Sequence, residues 1–334
     1  MTTTDYFDAN ASMNRSADKD NTIAVGRFAP SPTGRMHLGN IYAAVMSWLD
    51  VKCRGGRWIL RHEDLDPQRS KLEYAKIIED DLHWLGLEWD EGGLDNIGGN
   101  GPYLQSLRHG IYLRALAKLQ NTGMCYPCTC TRAELRASSA PHLSDGRLIY
   151  SGKCRPTDLP RDFHQLSKDK DRYAVRLAVP DRYIEFDDAV YGHQSVNIAK
   201  ECGDFVLRRA DGAWAYQLAV VVDDMLMGVN RVTRGCDLLL SAAQQTYIYS
   251  LLGGKAPAYM HLPLICNEAG QRLSKRDQSL SMAVLRQSST PERILGLIAQ
   301  VSGQQPTPAP ISLPELLGIY NETRIPTSNQ ILPS

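Results

Sequence analysis

The stretch GRFAPSPTGRMHLGN, residues 26–40, limits the fold more than any other part of the chain. The run from Ile23 to Phe28 reads as a buried strand, and Pro30 and Pro32 stop it. From His37 to Lys52 the apolar residues Ile41, Val45, Trp48 and Leu49 recur at helical spacing. The order then repeats. Arg57 to Arg61 (RWILR) reads as a second strand ending in HEDLD, and Lys71 to Leu85 reads as an amphipathic helix carrying Leu72, Ile77, Ile78, Leu82 and Leu85. Such β-α-β-α alternation predicts an α/β fold with a parallel sheet and right-handed crossovers. Ligands of these sheets sit at the carboxyl ends of the strands, where PSPTG and HEDLD would both lie.

Beyond a glycine-rich loop at 92–101, Leu104 to Gln120 reads as a helix. Residues 122–160 break the pattern with prolines and clustered cysteines. Tyr173 to Val179 alternates like a strand within what reads as an insertion. The α/β pattern resumes at Asp204 with a hairpin through Ala210-Asp211-Gly212. A helix (Gln217 to Met227), a strand (VNRVTRG), a helix (Cys236 to Leu252) and a last strand (HLPLIC) follow. Two short helices are expected at Ile294–Val301 and Leu313–Tyr320. The expected division is a disordered polar tail (1–22), the first half of a catalytic domain (23–121), an insertion (122–203), the second half (204–260), and a basic loop with a short helical C-terminal region (261–334).

Charge is balanced, with 37 basic and 37 acidic residues and a formal net charge of +0. A protein coated by nucleic acid is usually more basic, so an RNA partner would have to rely on local patches. No apolar run is long enough to cross a bilayer, and the N-terminus lacks the apolar region of a secretory signal. A cytoplasmic protein is expected, in which eight cysteines are reduced thiols or metal ligands.

Two motifs carry the chemistry. HLGN, His37 to Asn40, opens a helix, whose free N–H groups and partial positive charge suit a polyphosphate. Imidazole can bond a phosphate or ribose oxygen, and Gly39 lets a nucleotide approach the backbone. RLSKR, at 272–276, supplies Arg272, Lys275 and Arg276 on a loop that can close over the same phosphates. Taken singly, the first is an ordinary turn and the second a solvated basic loop. Together they point to attack of a carboxylate on the α-phosphate of ATP, with pyrophosphate leaving. Such a reaction needs positioning and charge neutralisation more than covalent help. Arg27 and Arg234, at strand ends, offer forks for a carboxylate. Glu63 could take an α-ammonium group and Tyr216 could donate from its hydroxyl, although packing or capping would also explain either residue. Cys125, Cys128 and Cys130, followed by Cys154, have a spacing that suits tetrahedral zinc, and four cysteines are the natural first choice. Cys53, Cys202, Cys236 and Cys266 read as small core residues.

RFAPSPTGRMHLGN, RHEDLD, CTCTRAEL, YSGKC, AYQLAVVVDD, VTRGCDLL, HLPL and RLSKR together resemble the glutamyl-tRNA synthetases of class I. More narrowly they resemble the truncated branch of that family, the glutamyl-Q tRNA(Asp) synthetases. The resemblance implies a Rossmann-like parallel sheet with a zinc-bearing, tRNA-contacting insertion and no anticodon-binding domain, for which residues 277–334 leave no room. It implies a ligase that activates L-glutamate with ATP, without needing tRNA, and transfers it to queuosine at the wobble position of tRNA(Asp). Implied catalytic residues are His37 and Lys275. Implied glutamate contacts are Arg27, Phe28, Ala29, Pro30, Ser31, Glu63, Tyr216 and Arg234, and implied ATP contacts are His37, Gly39, Asn40 and Lys275. One Zn2+ per chain is expected on Cys128, Cys130, Tyr150 and Cys154, so Tyr150 replaces Cys125, which stays as the competitor. ATP is expected to arrive with Mg2+, and a monomer is expected. Asn40 and Arg272 depart from the family's signature histidine and lysine. A short synthetase charging a tRNA 3′ end and a non-catalytic nucleotide- or tRNA-binding paralogue are the alternatives.

Overall fold

A computed structural model describes residues 23–137, 149–159, 163, 172–267 and 280–331. The expected tail (1–22) and the RLSKR loop with Lys275 lie outside the described residues.

Strand β1 (Val25–Phe28) leads through the proline turn into helix α1 (Leu38–Lys52). Strand β2 (Arg57–Leu60), helix α2 (Leu72–Trp84) and the two-residue strand β3 (Glu91–Gly92) complete the repeat. The helix expected from Leu104 begins instead as a 3-10 turn, Gln105–Arg108, and continues as α3 (His109–Asn121). Next come β4 (Cys125–Cys128), the short helix α4 (Arg132–Ala137), β5 (Ala174–Leu177), β6 (Tyr183–Asp188), β7 (Gly192–Asn197), the single turn α5 (Ile198–Glu201) and β8 (Phe205–Arg208). Helix α6 (Tyr216–Leu226), β9 (Arg231–Gly235), α7 (Leu239–Leu252) and β10 (Ala258–Leu262) return to the α/β rhythm. The chain closes with β11 (Ile265–Cys266), α8 (Met282–Ser288), α9 (Pro291–Val301), α10 (Leu313–Ile319) and β12 (Gln330–Ile331).

The main sheet has seven strands in the order β3-β2-β1-β9-β10-β6-β7. All neighbours are parallel except the β6–β7 hairpin. This is the expected α/β architecture, with a different partition of the middle. The β6–β7 hairpin falls inside the segment read as an insertion, yet it extends the main sheet beside β10. Strand β8, read as the restart of the catalytic half, pairs instead with β5, and β4-β5-β8 form a separate antiparallel sheet. Local alternation reveals a strand but not its partner, because pairing is settled by contacts distant in sequence. HLPLIC is also two strands: Pro263 ends β10, and β11 pairs with β12.

Helix α1 buries Leu38, Ile41, Val45, Met46 and Leu49 against the sheet. The close approach needs Gly26, where a Cβ would stand 2.4 Å from Val51 Cγ2. The C-terminal helices α9 and α10 join this same core through Ile294, Leu295, Ile298, Leu313 and Leu316. Below them, buried Asp50 binds Arg54 and Arg231, which also hold Glu322. A second core unites α3, α6, α7 and the small sheet. Cys53 departs from its reading as a core residue: it lies exposed at the end of α1.

Gly92 is the backbone position least tolerant of a side chain. Its φ is +105°, and a Cβ there would lie 1.9 Å from the Leu60 carbonyl oxygen. Gly92→Ala is expected to cost about 2–3 kcal/mol, measured as a lowered midpoint in urea unfolding.

Candidate active site

A cleft of about 510 Å³ opens at the carboxyl ends of β1, β2, β9 and β10. Its wall holds Arg27, Phe28, Ala29, Pro30, Ser31, His37, Gly39, Asn40, Glu63, Tyr216 and Arg234. Every described residue of the expected glutamate and ATP sets therefore meets in one cavity. Backbone bonds assemble it: Arg61 N–H donates to Phe28 O (3.0 Å) and Glu63 N–H to Pro30 O (2.9 Å), which fastens HEDLD to the proline turn.

His37 caps α1, and its Nδ1 accepts from the Gly39 N–H at 3.2 Å. Asn40 Oδ1 accepts from the His37 N–H at 3.1 Å and completes a capping box. A reason for asparagine at this position follows, since its short amide closes the box. The first turn of α1 carries no acidic residue, so the positive end of the helix faces the cleft uncancelled. On the far side of the RLSKR loop, Ser281 bridges to His37 and the Met282 N–H donates to Met36 O at 2.9 Å. The exit of that loop is thus bound to the start of α1.

Beneath the cleft lies a buried charge network. Arg27 Nε meets both oxygens of Asp224, at 3.2 and 3.3 Å. Arg61 Nη1 meets Asp224 at 2.7 Å, its Nε meets Asp223 at 3.7 Å, and its Nη2 meets Glu63 at 3.5 Å. Asp223 also accepts from Arg108 Nε (2.6 Å), Gln105 Nε2 (2.8 Å) and the Tyr112 hydroxyl (2.8 Å). Burial raises the Asp224 carboxyl, but Arg27 and Arg61 outweigh it and hold it below its ordinary value. Burial dominates at Glu63 and pushes its carboxyl up to about 7, against the pull of Arg61 and Arg27. Sequence reasoning missed Arg61, Arg108, Asp223 and Asp224 as site residues. The available signal was AVVVDD, where adjacent acids follow an apolar helical run and both fall on buried turns of α6.

Arg234 differs from the other arginines. Its donors reach His261 Nε2 (3.1 Å), Gln245 Oε1 (2.8 Å), the Tyr216 hydroxyl oxygen (3.4 Å) and Leu238 O (3.3 Å). All four acceptors are neutral, and among the described residues no carboxylate pairs with it. Burial raises the Tyr216 phenol above its ordinary value, so the hydroxyl keeps its proton for an anion.

A second cluster sits in the 122–203 segment. The sulfurs of Cys128, Cys130 and Cys154 lie within 4.8 Å of one another. Tyr150 Oη is 3.7 Å from Cys128 Sγ and 3.9 Å from Cys130 Sγ. Cys125 is not part of this group: strand alternation turns it to the opposite face of β4, into the apolar core with Tyr112 and Leu119. Burial pushes its thiol up to about 12. The four-cysteine choice thus fails on the period of a strand. Glu134 pairs with Lys153, the residue before Cys154, at 2.7 Å, and the Arg176 guanidinium covers the Tyr150 ring at 3.8 Å. Three thiols and a phenol so close together are a donor set that fits a tetrahedral, thiolate-rich ion.

A family described as "tRNA synthetases class I (E and Q), catalytic domain" matches residues 24–306. A glutamyl-Q tRNA(Asp) synthetase of Nitratidesulfovibrio vulgaris is 45% identical over 312 residues, covering 92% of this chain and 95% of that protein. The chain belongs to the glutamyl-Q tRNA(Asp) synthetase family. Another relative of that name, from Symbiobacterium thermophilum, is 44% identical over 92% of this chain and 96% of its own length. A solved glutamate tRNA ligase from Elizabethkingia meningosepticum, in complex with its amino acid, superposes with a TM-score of 0.79 at 28% identity, covering 93% of this chain and 67% of that one. Membership makes the chain a ligase of the aminoacyl-tRNA synthetase type, with the class I fold. No described helix is long and apolar enough to cross a membrane.

Removing Asp223 would leave Arg108, Gln105 and Tyr112 facing a void. Asp223→Ala is expected to cost about 3–5 kcal/mol in chemical denaturation, as for a buried pair that loses one partner.

Proposed function

We propose that this chain activates L-glutamate with ATP in the absence of tRNA, and then transfers the glutamyl group to queuosine at the wobble position of tRNA(Asp). The observation that carries the amino-acid specificity is Arg234, a buried guanidinium beside the cleft whose protein partners are all neutral. A substrate carboxylate would complete it. Arg27 offers the second cationic group, Tyr216 a hydroxyl, and Phe28, Ala29, Pro30 and Ser31 the wall against the carbon chain. Glu63 would receive the α-ammonium group. The nearly full-length likeness to relatives named for the queuosine reaction supports the acceptor.

In this reading an oxygen of the glutamate α-carboxylate attacks the α-phosphorus of ATP, the bond to the β-phosphate breaks, and pyrophosphate leaves; Mg2+ bound to the nucleotide would help neutralise the phosphates. The α1 N-terminus, His37, Gly39 and Asn40 hold the nucleotide, and Lys275 meets the charge growing on the phosphates. A hydroxyl of queuosine then attacks the acyl carbon and AMP leaves. One Zn2+ on Cys128, Cys130, Tyr150 and Cys154 would cross-link the end of β4 to the 150–154 segment, a structural role that takes no part in these steps. We further propose a cytoplasmic monomer.

The likeness to a solved glutamate tRNA ligase keeps one second reading, transfer to a tRNA 3′ end. Labelled glutamate offered with queuosine-containing and queuosine-lacking tRNA(Asp) separates the two. Incorporation only into the former is expected, and equal incorporation would establish the second reading.

Pyrophosphate exchange should depend on glutamate and not on tRNA, and its loss from the wild-type enzyme would refute the whole proposal. Its pH dependence follows from Glu63. The folded carboxyl lies near 7, above its ordinary 4.5. Its contribution to stability is therefore full below about 4.5 and is lost as pH rises through about 7. Ammonium binding needs the ionised form, so kcat/KM for glutamate should rise through pH 7 and then level. Glu63→Gln should flatten that rise and lower kcat/KM by about 10–100-fold.

A further inference from the structure

Four arginines lie buried around the cleft, and three of them pair with carboxylates of the protein. Arg27 has Asp224, Arg108 has Asp223, and Arg61 has both together with Glu63. Arg234 is only 5% exposed and has none of them. Its planar fork is nonetheless held at three nitrogens, and the face of Tyr259 lies 5.4 Å from it. Burying a cation without an anion is costly, so the choice of neutral partners at every donor requires an explanation.

Two of the three side-chain acceptors, His261 and Gln245, are themselves locked. Arginine can only donate, so His261 Nε2 must present a lone pair, and the ring proton must sit on Nδ1. Asp188 Oδ2 lies 2.6 Å from that Nδ1 and also accepts from the His261 backbone N–H at 3.0 Å, which fixes both tautomer and ring plane. Gln245 must likewise turn its oxygen to Arg234, which sends its amide Nε2 to Gln217 Oε1 at 2.8 Å. Gln217 Nε2 then donates to Gln244 Oε1 (2.8 Å) and Ser241 Oγ (3.1 Å). Each amide in this row has one orientation consistent with its neighbours.

We infer that Gln245, held by Gln217, and His261, held by Asp188, are positioning residues that aim Arg234 into the cleft while leaving its charge for a substrate carboxylate, and so set the preference for an acidic over an amide substrate. The inference rests on the glutamate reading and adds the source of its selectivity. A glutamine side chain in the site would leave the cation unanswered, whereas a glutamate carboxylate answers it.

The test turns on rank order. Gln245→Glu keeps size and acceptor but supplies the missing anion; Gln245→Met keeps size and removes the acceptor. If Gln245 only supports Arg234, Met is the worse change, because Glu would bond the guanidinium more strongly. If Gln245 preserves the free charge, Glu is worse. In pyrophosphate exchange, Gln245→Glu is expected to raise KM for glutamate by about 30–100-fold with kcat and KM for ATP within about threefold, and to shrink the preference for glutamate over glutamine by a similar factor. Gln245→Met is expected to raise KM by less than about fivefold. A larger effect for Met than for Glu, or an unchanged KM in the Glu variant, overturns the inference. Should the Glu variant not fold, 15N spectra of the wild-type His261 side chain decide. A neutral Nδ1–H tautomer supports the cradle, and an Nε2–H tautomer refutes it. A wild-type enzyme without glutamate-dependent exchange would refute the glutamate reading instead, and the tautomer would still decide the cradle.

Discussion

The pair Asp223–Asp224 is the constraint on which the site depends. Two adjacent carboxylates at the end of an apolar helix must both be buried, and each needs cations delivered from elsewhere in the chain. Asp224 takes Arg27 from β1 and Arg61 from the end of β2; Asp223 takes Arg108 from the turn before α3. Three stretches distant in sequence therefore meet at one helix. Burial of such pairs is a weak source of net stability but a strong source of geometry, because a displaced partner leaves a naked charge. That geometry delivers Arg27 and Glu63 to the same wall of the cleft as Arg234.

Much of this arrangement was legible in the sequence, and unevenly so. The proline-stopped strand, the capped helix and the β-α-β-α order depend on local chemistry, and β1, α1, β2 and α2 lie where their residues imply. The residues expected to contact glutamate and nucleotide converge because they follow strand ends, a rule of topology. Strand partnership was not legible: β6–β7, inside the segment read as an insertion, extends the main sheet, and β8, expected to restart the α/β pattern, joins the small one, since nothing local distinguishes a strand that joins one sheet from a strand that joins another. The charge network was hidden for a similar reason. Arg61, Arg108, Asp223 and Asp224 look like ordinary surface charges until the fold buries them together. Cys125 shows the opposite lesson, for alternation along CYPC already sent it to the other face from Cys128.

The small sheet and its thiol cluster are organised by one acid. Asp204 accepts from the Tyr126 hydroxyl at 2.6 Å, the Val179 N–H at 2.8 Å and Arg155 at 3.1 Å, while its own carbonyl takes Arg176 at 2.9 Å. Arg176 in turn covers Tyr150. A region with few periodic apolar positions of its own thus adds these polar contacts to the apolar core that it shares with α3, α6 and α7.

The bridge between Ser281 and His37 has a consequence for the nucleotide. Residues 268–279 join two anchored points: Cys266, in the β11–β12 pair, and Ser281, on the start of α1. Ser281, the second of these points, meets the start of the helix proposed to receive the phosphates. The entropy of bringing Ser281 and the start of α1 together is lost once, on folding. In the proposed reaction, the binding energy of the nucleotide is then left for orientation at the reacting phosphorus.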